Sequence, residues 1–492
     1  MFEQRRPSPS WLPHLDLICV TIAGGAWYVS GQWWPLVIAL APWFTRFALA
    51  GRLTRRTPFD LPMVLFLLTA AVGIWAAYDR TAAWARFWMI VGAVLVFYAL
   101  ANAEPAGNSR IWFLALFGAG VATHFVLTHD WEAYPVKIDL VARLGQALQR
   151  RLPPLPGPRS NPNVVAGTIT AVLPFAGLAV VQSWRGLRRA SRPRSAGLWL
   201  AFSFALTTLA LSAFGLLMTA SRSAWLAVLA ALLLAGMWCV AGCLGRGSPQ
   251  RRVWIFAGWL VLGLVVVTAV VLAYPSLGAA LMDAMPGPSS VGARPELMRN
   301  SLILLRDYPL TGFGLGTFMM VYSSYVMLIP VGYITHAHNL FLDVALEQGL
   351  LAMLVFLWMC ALLFRGFWRE QLSTGGQRRR GEMAASAFAL LVILLYGLVD
   401  DPVHGSRAIL LLFSPLAFLP LQPREKRRQK TPWVLLTQAA AVILLLAMAI
   451  IWRDQLLSRL ASNLGAVRQS QAELGVYSWP EWPVQDAVRR EV

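Results

Sequence analysis

The chain has 492 residues, of which 58% are hydrophobic and only 13% charged, and its formal net charge is +19. Soluble proteins carry roughly 25% charged residues, so a soluble globular protein is excluded. An outer-membrane barrel is excluded too, because barrel strands alternate over roughly 10-residue segments whereas this chain runs apolar for much longer. What remains is an all-α, polytopic transmembrane helical bundle.

A span needs about 20 apolar residues in a row. Such runs fall at 11–31, 33–50, 60–78, 84–102 and 110–128, a first membrane unit within 1–128. The first run has no small-residue cleavage site of the A-x-A type and reads as a retained helix. A hydrophilic loop over 129–162 follows. Runs at 163–183, 197–219, 223–243 and 254–274 make a central unit over 163–274. The longest hydrophilic stretch spans 275–339. Runs at 340–363, 383–399, 408–421 and 433–451 complete a C-terminal unit over 340–451, and a tail occupies 452–492. The expected count is about 12–13 spans. The four cysteines, Cys19, Cys239, Cys243 and Cys360, all fall inside these runs and read as structural thiols.

The basic residues cluster on alternate connections: "RLTRR" at 52–56, "RGLRRASRPR" at 185–194, "RGSPQRR" at 246–252, "RRR" at 378–380 and "REKRRQK" at 424–430. With the N-terminus inside, every one of these lies in the cytoplasm, as the positive-inside rule expects. The basic charge is then a topology signal that also favours anionic membrane lipids. It needs no nucleic acid. The loops 129–162 and 275–339 and the tail are expected outside. In the tail, Leu456, Leu460, Leu464 and Val467 share one stripe, which predicts an amphipathic helix on the outer membrane face.

The 275–339 loop is expected to be partly helical. "ARPELMRNSLILLRDYPLTGFGLGTF" predicts a helix from Pro295 to Asp307, with Pro295 at its first position. Arg299 and Arg306 share one side of it. The following G-x-G-x-G turn comes after a helix rather than a strand, so it is no dinucleotide site and reads as a tight loop. Other external turns present Arg80 and Arg86 ("YDRTAAWAR"), Arg159 ("GPRSNPN"), Arg222 ("TASRSAW") and Asp400, Asp401, His404 and Arg407 ("DDPVHGSR"). Boundary arginines often serve only as anchors that reach the headgroups. Arg222 has almost no loop in which to do so.

"THAHNLFLDVALEQGL" at 335–350 stands apart. His336 and His338 stand at the mouth of the run at 340–363. Asn339, Asp343 and Glu347 follow at helical spacing on one face. A polar strip descending into a bilayer is costly unless it faces a polar cavity. A histidine near neutrality suits general-base chemistry, and Glu347 is either a second catalytic group or a partner that orients a neighbour. Ligand types alone would allow a metal at His336, His338 and the Asp400–Asp401 pair, although nothing in the spacing demands one.

"RPELMRNSLILLRDYPLTGFGLGTF" and "HAHNLFLDVALEQGLLAMLVF", together with "MTASRSAWLA" and "NPNVVAGTITAVLP", resemble the O-antigen ligase and polymerase superfamily over roughly residues 157–405. The resemblance implies a GT-C type membrane glycosyltransferase. It would move a glycan from an undecaprenyl pyrophosphate donor on the periplasmic side of the bacterial inner membrane. The acceptor would be lipid A-core for a ligase, a lipid-linked chain for a polymerase, or a serine for a protein O-oligosaccharyltransferase. The resemblance marks His338 as the catalytic histidine, with His336 open as the alternative, and places Arg222 and Arg294 on the pyrophosphate. Arg86, Arg159, Arg299 and Asn339 are further substrate-binding candidates. No cofactor and no metal are expected, since arginine forks can stabilise a diphosphate leaving group. A transporter or flippase of lipid-linked glycans would use the same arginines without needing a histidine base.

Overall fold

Prolines and glycines decide where the apolar runs cease to be α-helix. The computed structural model describes residues 9, 11–104, 107–134, 136–152, 155, 160–190, 195–245, 248–273, 290–326, 334–372, 376–401, 403–419 and 451–475. Among them there is no strand. The helices are α1 (Leu12–Ser30), α2 (Ala41–Ala50), α3 (Asp60–Ala76), α4 (Arg80–Asn102), α5 (Ser109–Thr128), α6 (Asp139–Gln149), α7 (Pro162–Arg189), α8 (Ala196–Met218), α9 (Arg222–Leu244) and α10 (Pro249–Ala273). They continue as α11 (Ser290–Asp307), α12 (Phe318–Val326), α13 (Leu340–Gln348), α14 (Leu350–Leu372), α15 (Gln377–Gly397) and α16 (Arg453–Leu474). Among the described residues, nine helices are long and apolar enough to cross a membrane: α1, α4, α5, α7, α8, α9, α10, α14 and α15. The chain is a polytopic helical bundle.

Three expected spans take another form. Over 33–50, a 3-10 helix (Trp34–Leu40) precedes α2, with a proline, Pro35 and then Pro42, in the first turn of each piece. Proline fits a helix start and lacks the N–H an interior position needs. Over 408–421 the chain forms two short 3-10 helices, Arg407–Leu411 and Ser414–Phe418, separated just before Pro415. The run at 340–363 divides at Gly349, whose φ of 85° closes α13 before α14 begins. A side chain there would meet the Leu310 carbonyl oxygen at 2.2 Å. The span expected at 433–451 lies outside the described residues save for its last one.

α7 is the hub, packing on α5, α8 and α15, while α4 packs on α1, α3 and both 3-10 helices near the C-terminal end of the bundle. A second cluster, built from α11, α12, α13 and α16, covers the end of α3. α11 begins at Ser290, so Pro295 lies inside it rather than at its start. The G-x-G-x-G turn fills the gap between these parts. Gly314, at φ 111°, would place a side chain 2.3 Å from the Ala77 backbone. Phe313 N–H donates to Leu346 O at 2.8 Å and Leu315 N–H to Gly73 O at 3.2 Å.

The tail forms the expected helix, but a different stripe docks it. Asn463, Val467, Ser470 and Leu474 are buried, while Leu456, Leu460 and Leu464 stay exposed. Asn463 Oδ1 accepts from Leu310 N at 2.8 Å and its Nδ2 donates to Thr311 Oγ1 at 2.7 Å. The loop 129–162 also holds a helix that its hydrophilic character did not announce, α6, set against Trp131.

Candidate functional site

Two loops meet at the end of the bundle. One carries His336 and His338 into α13. The other, from Leu398 to Ser406, leaves α15. Asn339 joins them: its side-chain oxygen caps α13 by accepting from Phe341 N and Leu342 N, and its Nδ2 donates to Leu398 O at 3.1 Å. Asparagine is a strong N-cap because its oxygen satisfies orphan helix N–H groups. Asn339 thus holds the two loops together, a structural part alongside the substrate contact expected of it.

Asp400, with a side chain only 3% exposed, faces both histidines. His338 Nδ1 lies 2.8 Å from Asp400 Oδ1, and His336 Nε2 lies 3.4 Å from the same atom. The two rings pack with centroids 4.2 Å apart. The other nitrogen of His336, Nδ1, pairs with Thr335 Oγ1 at 2.9 Å. His338 Nε2 has no hydrogen-bond partner among the described residues, and the side chain is 29% exposed. If Nδ1 donates to Asp400, Nε2 holds a lone pair, which is the base tautomer. Burial alone would raise the Asp400 carboxyl, but the hydrogen bonds from His336 and His338 oppose it, and Asp400 is held well below the usual carboxylate range. His336, His338 and Asp400 each also offer one ligand atom within 4.8 Å of the others, a spacing an ion could bridge. The direct histidine–aspartate contacts already satisfy these atoms.

Backbone strain gathers here. Among the described residues, two that are not glycine have left-handed φ: His338 at 52° and Ala220 at 49°. Such conformations cost about 1–3 kcal/mol each and concentrate at functional sites. Ala220 lies in the turn that launches Arg222, the first residue of α9. Ser221 Oγ is 2.9 Å from Tyr396 Oη, which donates to Asn163 O at 3.4 Å, and Asn163 Nδ2 donates to Asp400 Oδ2 at 3.5 Å. A polar chain therefore connects the arginine turn to the histidine pair.

Beneath the histidines lies a second layer. Glu347 Oε2 accepts from Arg86 Nε at 3.1 Å and Glu347 Oε1 accepts from Gly316 N at 3.1 Å. Arg86 Nη2 is 3.0 Å from His404 Nδ1. Arginine always donates, so Nδ1 accepts and Nε2 carries the proton of a neutral ring. Gln348 Nε2 lies 3.4 Å from His404 Nε2, and Gln348 Oε1 accepts from Thr69 Oγ1 at 3.3 Å; an amide turned end for end would offer the ring N–H an acceptor. Burial, with Arg86 beside it, holds His404 well below its ordinary value, consistent with a neutral acceptor. Burial raises Glu347 while Arg86 opposes it. Arg86, 7% exposed, and Glu347 hold each other, Arg86 also binding His404 and Glu347 the glycine turn. They brace the site, which for Glu347 is the orienting role that the sequence left open.

Arg299 is exposed on α11. Arg294 lies on the same helix, its side chain outside the described residues, and Arg159 lies outside them altogether. Sequence reasoning saw Asp400, Asp401 and His404 only as members of an external turn, with the two aspartates as conceivable metal ligands. It missed Asn163 and Tyr396, since a tyrosine in an apolar run carries no local signal.

Residues 207–357 match the family model described as O-antigen ligase. That segment holds Arg222, α11, the glycine turn, both site histidines and Glu347. Asp400, His404, Arg86 and Asn163 come from outside it. No match was found among curated proteins.

Proposed function

We propose, from the O-antigen ligase family segment and the histidine–aspartate geometry, that this multi-pass membrane protein transfers a lipid-linked glycan to a hydroxyl acceptor. The reading extends to an undecaprenyl pyrophosphate donor, a lipid A-core acceptor, and a site facing the periplasm from the inner membrane. The observation that carries it is His338, whose Nδ1 lies 2.8 Å from buried Asp400 while the ring remains partly exposed. His336, with both nitrogens engaged, is the weaker candidate for the base.

In this mechanism His338 Nε2 takes the proton of the acceptor hydroxyl as that oxygen attacks the anomeric carbon. The bond from that carbon to the pyrophosphate oxygen breaks, and the diphosphate leaves with the electron pair. Asp400 stabilises the imidazolium that forms. The developing negative charge falls to Arg222 and Arg294, with Arg299 and Arg159 as further partners, since planar guanidinium forks match phosphate oxygens. Two or three arginines neutralise a diphosphate without a metal, so transfer should persist in excess EDTA. Arg222 enters through its turn, which the Ser221–Tyr396–Asn163 chain ties to Asp400.

The test is a purified-protein assay with undecaprenyl-pyrophosphate oligosaccharide and three acceptors: lipid A-core, a second lipid-linked glycan, and a serine peptide. Product on lipid A-core supports the ligase reading, and elongation of the lipid-linked glycan supports a polymerase instead. Movement of donor across liposomes without transfer to any acceptor would replace the enzyme with a transporter. Strict dependence on Mg²⁺ or Mn²⁺ would overturn the arginine mechanism.

A further inference from the structure

Below the histidine pair two buried carboxyls face each other. Asp343 is in α13 and Asp401 in the loop after α15, and both are almost wholly buried. Each fastens its own loop. Asp343 Oδ1 accepts from Ala337 N at 2.7 Å, the residue between the two histidines. Asp401 Oδ1 accepts from His404 N at 2.7 Å and Val403 N at 3.2 Å, and its Oδ2 from Gly405 N at 3.1 Å. The two carboxyls are within hydrogen-bond contact. If both were ionised, Asp343 Oδ2 would be buried with no donor at all.

One proton resolves this, and the surroundings decide where it sits. Three backbone N–H groups favour the ionised form of Asp401. Asp343 receives only one and has an empty oxygen beside Asp401. We propose that Asp343 is a positioning residue whose protonated carboxyl donates to Asp401, tying the loop that carries His336 and His338 to the loop that carries Asp400. The inference rests on the functional reading above and adds to it a device that holds His338 against Asp400. Burial and the Asp401 charge push Asp343 well above the usual carboxylate range, in keeping with a retained proton. The charged and titratable groups around the pair are Glu347 on α13, Arg86 on α4, His336 on the facing loop, and His404, whose Nδ1 is 3.8 Å from Asp401 Oδ2.

The bridge has a direction, which makes it testable. In Asp343→Asn the amide oxygen still accepts from Ala337 N and the amide nitrogen still donates to Asp401. In Asp401→Asn an N–H₂ group is turned on backbone donors. Asp343→Asn should therefore retain most of its transfer. Asp343→Ala should lose about 100-fold through misplacement of the base, and Asp401→Asn should fall with it. A group raised in the folded state contributes fully below the unfolded carboxyl value and loses its contribution as pH rises through the folded value. Wild-type transfer should thus decline on the alkaline side, where Asp343→Asn, which cannot ionise, keeps its rate. Asp343→Asn as damaged as Asp343→Ala, or declining with wild type at alkaline pH, would overturn the proposal. Amide hydrogen exchange reads the same device without any reaction: Ala337 should lose protection in Asp343→Ala and keep it in Asp343→Asn. If wild type transfers to no acceptor, the functional reading fails, while exchange still decides the bridge. Unchanged Ala337 protection in Asp343→Ala would refute it.

Discussion

Two kinds of buried charge cluster occur in this bundle. In one, each acid has an arginine. Asp16 on α1 pairs with Arg46 on α2, which also donates to Leu53 O at 3.0 Å, and Asn102 on α4 donates to Asp16 at 3.3 Å. Glu382 on α15 pairs with Arg110 on α5 and Arg378, and Arg110 stacks 4.2 Å over the Phe418 ring. In the other cluster, at the histidine loops, four acids (Asp343, Glu347, Asp400 and Asp401) gather around one buried arginine, Arg86, and three histidines. The first kind is settled by fixed charge. The second can be settled only with protons, and it is there that the backbone is strained and a ring nitrogen has no partner among the described residues. Matched pairs hold helices together, whereas an acid-rich cluster with titratable partners is poised to move protons.

The comparison breaks most sharply at Asp400. Asp400→Ala leaves both rings without their shared acceptor, and transfer should fall about 100- to 10,000-fold as the base tautomer is lost, measured at fixed donor concentration in the purified system. Because Asp400 is held below its usual range, its stabilisation is present above about pH 4 and is lost only as pH falls through the lowered value. Exchange protection of the 400–406 loop should therefore survive mild acid in wild type and be absent in the variant. Next in size, Arg222→Ala should cost about 10- to 100-fold in donor affinity and rate together. Arg222→Lys should restore only part, since a point charge does not reproduce the fork. Tyr396→Phe cuts the chain from Ser221 to Asn163 and should cost about 2- to 10-fold, the worth of one hydrogen bond. Smallest in its effect on chemistry is Arg110→Ala. It should destabilise the fold by about 3–5 kcal/mol, read as a lowered Tm, while transfer per folded molecule is unchanged. Loss of catalysis in that variant with Tm preserved would erase the distinction between the two clusters.

The bundle itself was legible because hydrophobic length is a local property: the apolar run at 11–31 and those from 60–78 to 254–274 became helices close to their expected limits. Errors came where backbone chemistry interrupts an apolar run. Gly349 splits 340–363, and Pro415 helps turn 408–421 into short 3-10 pieces. The "HAH" element was visible as a polar group at the mouth of a span. Its partner was not, since Asp400 stands 62 residues from His338 and only tertiary packing joins them. For the same reason the partner that Glu347 would orient had no name in the sequence: 261 residues separate it from Arg86, and only their contact reveals a mutual pair. The tail helix was legible as a helix, yet its docking face was not. Asn463 and Ser470 bind Thr311 and Tyr308 through polar atoms that an apolar stripe does not predict.

The central claim is that His338, oriented by Asp400, is the proton acceptor and that His336 is its support. The direct measurement compares His338→Ala and His336→Ala, both purified and folded, for donor binding and for transfer to lipid A-core. His338→Ala should bind the lipid-linked donor as wild type does and lose about 100- to 10,000-fold in transfer, while His336→Ala keeps most of its rate. Equal loss in both variants, or transfer that survives without His338, would contradict the account.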